Sequence, residues 1–465
     1  MSSSGPQAEP SSRKLARFAA DLRLADVPAA VIERAKLHIL DALGLALASN
    51  CFEYGRRAVA AGVALGSGGA CSVIGRPERL EVRDAAMVNA ILIHGLDFDD
   101  THLASIIHPT CTSLSCALSL GESLGSRGEA VLAAFIAGAE TGIRIGGAVG
   151  GGFHQIGYHA TGLVSHFASA ITAGKLLGLD ENQLVWAQGI TGSTASGIQV
   201  FLEEGAWTKR FHPGWGAVAG ITAARLAQHG FIGPSRPYEG KFGLFDTHLH
   251  GEAEHVDLLE LTEGLGEAWR FGDTALKPYP VCHFIHGCAD AAIELHDEID
   301  RAEIVRVEAL LPKPTLHIIA EPAEAKERPT SDYEAKFSAQ FVVAACLLKG
   351  RFGLRDLEPE GLADPKVRAL ALKVECRADP NTAFPTYFSG GVDVTLRDGR
   401  RLSRYVRVNS GAGDRAMDAE AVTAKFMASA TMTITGSQAG RIRDAVLAPR
   451  MMPAAELMTL LRGRL

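Results

Sequence analysis

Apolar residues recur at helical spacing through roughly the first 270 positions and then switch to the spacing of strands; this change limits the folds open to the chain. Asp26 is read as an N-cap, followed by Pro28 and the run AAVIERAKLHILDALGLALA, which begins a helix. Helical patterns follow near 83–96, 111–125, 128–147, 160–177, 182–197 and 214–229. Many are rich in Ala, Gly and Ser. Small residues let helix backbones approach closely, so a tight bundle of buried helices is expected. No β/α alternation accompanies them, which counts against a doubly wound sheet.

Beyond the switch, IVRVEALL (304–311) and VRALALKVEC (367–376) read as strands. VDVTLRDGRRLSRYVRV (392–408) reads as a hairpin, with Asp398-Gly399 supplying the two positive-φ positions of a type I′ turn. Helical patterns at 283–297 and 333–349 lie among these strands, and the helical pattern returns after residue 415. The predicted fold class is mainly α: a large discontinuous all-helical domain plus a smaller α+β domain inserted near its C-terminal end. The expected boundaries are a disordered tail at 1–12, a helical domain at 13–270 completed by 410–465, and the α+β domain at 271–409.

Composition narrows the class of function. The chain of 465 residues is 47% hydrophobic and 21% charged, as expected of a soluble globular protein. Its formal net charge is −7 with no Lys/Arg block, which argues against nucleic acid as a partner. The eight cysteines form no C-x-x-C pair, so neither a zinc ribbon nor an iron–sulfur run is signalled. The polar start MSSSGPQAEPSS lacks the apolar core of a signal peptide, and the apolar stretch from Val131 to Gly152 is broken by Glu140 and Arg144. A cytoplasmic protein without a membrane span is expected.

Five segments could carry chemistry. HGLDFDDTHLASIIHPT (94–110) follows a buried apolar run and crowds Asp97, Asp99 and Asp100 with His94, Thr101, His102 and His108. Charges at the end of a buried helix are costly unless paired or functional, and the cluster as a whole reads as functional. Its aspartates could also serve as magnesium ligands, or cap neighbouring backbone groups. Asp97 and Thr101 share one face if the helix continues. GYHATG (157–162) places His159 near a helix N-terminus, which attracts anions; Thr161 could simply cap that helix. WTKRFHPGW (207–215) sets Lys209, Arg210 and His212 before a Pro-Gly break, as carboxylate binders or as a solvated basic loop. KPYPVCHFIHGC (277–288) brings Lys277, His283 and His286 to the expected domain boundary, where small-molecule clefts are common. PTSDYEAKFSAQF (329–341) reads as a capped helix start.

Neither a Walker A motif, a G-x-S-x-G elbow, an H-E-x-x-H pair nor a G-x-G-x-x-G at a strand–helix junction is found. Histidines, a lysine and aspartates without a cofactor signal suit proton transfer.

Taken in order, HGLDFDDTH with HPT, GYHATG, KRFHPGW, KPYPVCHFIHGC and EAKFSAQF resemble the MmgE/PrpD family, which includes 2-methylcitrate dehydratases, cis-aconitate decarboxylases and iminodisuccinate epimerase. The resemblance runs through most of the chain. It implies a helical domain with an α+β lid, a homodimer, an active site in the cleft between the domains, and no cofactor or essential metal. By position it implies catalytic roles for Asp97, Thr101, His108, His159 and Lys209. Arg210, His283, His286 and His317 are expected to help bind substrate. The chain departs from the decarboxylase pattern twice. Cys282 stands nearest the boundary-motif histidine, and PTLHII (314–319) offers only His317 where a lid tyrosine would be.

The expected activity is cofactor-independent abstraction of a proton alpha to a carboxylate of a small di- or tricarboxylate. Dehydration of the 2-methylcitrate type comes first; epimerisation of an imino- or aminodicarboxylate and cis-aconitate-type decarboxylation are the alternatives. A non-catalytic carboxylate-binding protein and a metal-dependent hydrolase are the readings from other classes.

Overall fold

The computed structural model describes residues 8–66 and 68–463. The chain divides into two compact units. The first takes the described residues up to Val200, then Trp207–Thr274 and Ala419 onward; the second takes Phe201–Ala206 and Ala275–Asp418.

The first unit is built on the helices Val82–His94, Pro109–Leu124, Gly128–Gly147, Ala160–Leu176 and Thr208–Gln228, which pack against one another. The small residues act as the sequence implies. A Cβ on Gly216 would meet the Ser165 side chain at 2.4 Å, and one on Gly220 would meet the Ala170 nitrogen at 2.5 Å. These two glycines, one helical turn apart, let the Thr208–Gln228 helix lie against Ala160–Leu176. Gly125 closes the Pro109–Leu124 helix in the left-handed region (φ 64°), with Ser126 N–H donating to Gly121 O at 2.8 Å. From the far end of the sequence, Ala419–Ala430 packs on Ala29–Ser49.

Gly128–Gly147 is, among the described residues, the one helix long and apolar enough to cross a membrane, and 89% of its apolar window is buried inside the protein. Its buried Arg144 pairs with Glu140 (2.8 Å) and donates to the carbonyls of Glu260, Glu263 and Ala268. A guanidinium with an acceptor on every nitrogen explains how a charge sits in so apolar a helix.

Several local expectations change. The first unit is not wholly helical, because β1 (Cys71–Ser72) and β2 (Arg79–Leu80) form a short antiparallel pair. Ser11–Asp21 is helix, so the last two residues of the expected tail are ordered; residues 1–7 lie outside the described part. Asp26 closes a 3₁₀ turn and pairs with Arg23 at 2.8 Å, leaving Pro28 as the N-cap of Ala29–Ser49.

The second unit carries a four-stranded sheet in the order β4–β3–β5–β6, where β3 is Ile304–Leu311, β4 Val374–Ala378, β5 Gly390–Leu396 and β6 Arg401–Val406. β3 runs parallel to β4 and antiparallel to β5, and β5 to β6 is antiparallel. The helices His286–Leu295 and Ala339–Lys349 pack against each other and against the sheet. VRALALKVEC is only half strand: Pro365–Ala371 is helical because Asp364 caps it, accepting from the amides of Lys366 and Val367. The 392–408 hairpin forms, but not with a type I′ turn. Only Gly399 takes a positive φ (86°), and Gly399 N–H donates to Leu396 O at 3.0 Å. This is the longer loop in which one glycine in the left-handed region follows a turn, and Asp398 instead accepts from Arg400 N–H at 3.0 Å.

Candidate active site

The Val82–His94 helix stops at His94, and the chain loops to Pro109, where the next helix starts. Asp97 and Thr101 therefore do not share a helical face. Asp97 takes φ 51°, a left-handed conformation that a short polar side chain tolerates. The physical reason for the loop is that residues 97–101 are held from different directions, which one helix face could not supply. The Lys209 ammonium lies 2.9 Å from Asp97 Oδ2. Lys425 donates to Phe98 O at 2.7 Å and sits 3.9 Å from the centre of the Phe98 ring. Asp99 Oδ2 is 2.8 Å from His94 Nδ1. Asp100 Oδ2 meets His38 Nδ1 at 2.8 Å and accepts from Thr110 Oγ1 at 2.6 Å. Thr101 Oγ1 is 3.3 Å from His108 Nδ1. All five residues are buried.

The histidines gather around this loop. The ring of His108 lies 4.7 Å from that of His94, and His159 lies 5.8 Å from His94 and 6.2 Å from His108. His108 donates from Nδ1 to Asp100 O at 2.6 Å, while its backbone N–H donates to Thr161 Oγ1 at 3.1 Å. Thr161 thus ties the loop to the Ala160–Leu176 helix rather than capping it. His159 is the N-cap residue of that helix, and its Nδ1 faces His212 Nδ1 at 3.0 Å. Burial pushes the His159 imidazole well below its ordinary pKa, and neighbouring His212 and Lys209 push the same way. Burial also lowers His212 to about 4, and His154, 6.2 Å from the His159 ring, to about 4. At neutral pH these three rings are uncharged.

Lys209 and Arg210 do not precede a break. The helix runs from Thr208 through Pro213 to Gln228, so both sit in its first turn. The missing proline N–H costs one bond, to the Lys209 carbonyl, and the helix tolerates it. Arg210 is buried, its guanidinium 4.1 Å from the centre of the Tyr54 ring. Tyr54 in turn lies on Gly95, where a Cβ would come within 2.1 Å of the ring.

In the second unit, His283 and His286 stand with ring centres 4.3 Å apart, both buried. His283 Nε2 meets Asn409 Nδ2 at 2.9 Å, and Asn409 Oδ1 accepts from Phe388 N–H at 3.1 Å. His286 Nε2 meets Val281 O at 3.3 Å. Cys282 is buried, and its backbone N–H donates to Lys336 O at 2.9 Å. His317 is exposed on the four-residue helix Leu316–Ile319. Glu334 and Lys336 belong to a separate short helix capped by Ser331, and Ser338 caps Ala339–Lys349.

Three sets of side chains bring possible metal-ligand atoms within 4.8 Å of one another: His94 with His108 and His159, His94 with Asp99 and Cys111, and Asp97 with Asp99 and His108. These are the described residues that could hold a metal ion. Asp100, read from sequence as a possible ligand with Asp97 and Asp99, is in none of them and instead serves His38 and Thr110.

Sequence reasoning missed four of these side chains. It placed Asp99 and His94 in the functional cluster without a catalytic role of their own, and it gave no role to His154 or His38. The five-residue gap from His94 to Asp99 was the available signal, but it becomes meaningful only once the helix is known to stop between them.

The site therefore gathers buried imidazoles beside a lysine–aspartate pair. The MmgE/PrpD N-terminal domain matches residues 13–256 and the MmgE/PrpD C-terminal domain residues 279–449. The chain belongs to the MmgE/PrpD family. It is 27% identical over 473 residues to a cis-aconitate decarboxylase-like protein of Aspergillus oryzae, covering 97% of each chain. It is 27% identical over 477 residues to the cis-aconitate decarboxylase of Aspergillus terreus (96% and 95% covered). It is 28% identical over 428 residues to that of Homo sapiens (87% and 84% covered). These relatives are enzymes of the lyase class.

Proposed function

We propose that this protein is a lyase acting on a small di- or tricarboxylate, and that its chemistry turns on a proton at the carbon beside a carboxylate. The observation that carries this reading is the packing of His94, His108, His159 and His212 around the Asp97–Lys209 pair. Lys209 supplies the fixed positive charge that favours a substrate carboxylate, and Arg210 stands next to it. When a proton leaves a carbon beside a carboxylate, negative charge spreads onto the carboxylate oxygens. A fixed cation in a dry site stabilises that charge more than it stabilises the starting state. The neutral imidazoles are suited to take the proton.

Loss of water from a 2-methylcitrate-type hydroxy acid is the first reading, because it is a named activity of the family that begins with loss of such a proton. The relatives' names favour a second, decarboxylation of cis-aconitate, in which an imidazole instead returns a proton to the carbon that has lost CO₂. Cys282, His317 and the binding of His283 to Asn409 weigh against that reading. Incubation with 2-methylcitrate, cis-aconitate and aminodicarboxylates in D₂O separates the outcomes. A rising alkene absorbance identifies a dehydratase, release of CO₂ a decarboxylase, and exchange with inversion an epimerase. If the folded protein neither exchanges nor turns over any of these acids, the carbon-acid reading fails. Loss of activity in EDTA with recovery in magnesium would return the site to the metal-hydrolase reading.

A further inference from the structure

We propose that His94, with Asp99 behind it, is the group that takes the proton from the substrate carbon. The inference rests on the carbon-acid reading above and names the base within it.

His94 Nδ1 lies 2.8 Å from Asp99 Oδ2, and both side chains are 1% exposed. A carboxylate can only accept, so Nδ1 carries a ring proton, and the lone pair that can take a proton lies on Nε2. His94 Nε2 is buried and has no hydrogen-bond partner among the described residues. A buried lone pair without a donor is costly, and a site that receives a substrate proton gives it a use. The other two rings nearest to it are held differently: His108 directs Nδ1 to the backbone carbonyl of Asp100, and His159 faces His212. His94 has the Asp99 carboxylate at hydrogen-bond distance from its ring. That carboxylate fixes the tautomer and balances the imidazolium that forms, the arrangement by which an aspartate supports a histidine base.

The step balances as follows. The carbon-bound proton passes to His94 Nε2, and the C–H electron pair spreads into the neighbouring carboxylate. That pair then forms the carbon–carbon double bond as the β-hydroxyl departs with its own bonding pair. The hydroxide leaves as water with the proton that His94 took, and the ring ends neutral. The titratable groups around His94 are Asp99, Cys111, His108, His159 and His212.

The test compares wild type, His94→Gln and Asp99→Asn with whichever acid the wild type turns over. His94→Gln is expected to lower kcat about 100-fold or more while KM stays within about threefold. Asp99→Asn keeps an acceptor for Nδ1–H but removes the charge. Its kcat should fall less, and the acid limb of its kcat profile should move to lower pH, because the imidazolium loses its counter-charge. A merely structural role would not move that limb. If His94→Gln is folded by its melting temperature and retains the wild-type kcat within threefold, the assignment is wrong even though the carbon-acid reading stands. If wild type turns over none of the acids, both fall together. Nitrogen NMR of the histidine rings gives a second readout that survives a poorly folding variant. It should show His94 as the Nδ1–H tautomer, with the Nε2 resonance shifting on addition of citrate. The opposite tautomer, or an Nε2 resonance unmoved by saturating citrate, overturns the proposal.

Discussion

Two regions of this protein bury closely spaced histidine rings, and they differ in what holds those rings. In the first unit, His94, His108 and His159 are surrounded by groups that can change charge: Asp97, Asp99, Lys209 and His212. In the second, His283 and His286 are closer together, and the groups around them include an asparagine amide, a backbone carbonyl and the rings of Tyr279 and Phe388. Proximity of histidines is thus a poor guide to chemistry. A ring beside a carboxylate, as His94 is beside Asp99, can exchange a proton and have the new charge balanced; a ring held by an amide, as His283 is by Asn409, has no such balance from that partner.

The largest expected effect tests the ionisable side. Lys209→Met should lower kcat/KM by about 10²- to 10³-fold, the scale of removing one electrostatic contact in a dry site. It should also destabilise the fold by about 3–5 kcal/mol in urea melts, because Asp97 is left buried without its cation. Adding Asp97→Asn should recover much of that stability without restoring turnover. A double variant that regains turnover would show the pair to be structural.

The comparison itself is probed next. His159→Gln should cost about 100-fold in kcat, whereas His283→Gln should leave kcat within about threefold and destabilise the second unit by about 1–3 kcal/mol. A rate loss at His283 equal to that at His159 would erase the distinction.

A third test uses pH. His102, His154 and His212 are each held at about 4 by burial, below the ordinary histidine value. Between that value and about 6.5 the unfolded chain binds more protons than the folded one, so stability is full above about 6.5 and is lost as pH falls towards 4. Asp41 opposes this trend, being raised to about 6 chiefly by burial; its contribution is greatest below its ordinary value and is lost as pH rises to 6. Burial also lowers His38, His159 and His166, and raises Glu140 and Asp290 along with Asp41, so six histidines against three carboxyls leave the first trend dominant. His102→Gln should flatten the slope of denaturant stability against pH by on the order of 3 kcal/mol. An unchanged slope would mean that His102 is charged in the folded protein.

The smallest effect lies in the second unit, at a helix cap. Ser338 accepts from Phe341 N–H at 2.9 Å, so Ser338→Ala should cost about 1 kcal/mol of stability and leave turnover untouched.

The sequence by itself settled the helices of the first unit, the hairpin of the second, and the five ordered segments that place the chain in its family. These are local properties, because helical periodicity, an Asp-Gly pair and a run of neighbouring residues are complete within a few turns of chain. Long-range closure is not. That Pro365–Ala371 is helix depended on an aspartate cap competing with an apolar run that also suits a strand. That the 94–110 segment is a loop depended on His38, Lys209 and Lys425, residues 62, 112 and 327 positions from their partners Asp100, Asp97 and Phe98. Sequence reading therefore ranked Asp97 above Asp99 and passed over His94. Only the folded structure shows that Asp99 turns onto His94 while Asp97 turns onto Lys209. Which buried carboxylate meets which cation or ring is fixed by the three-dimensional meeting of distant segments, and spacing along the chain carries no record of it.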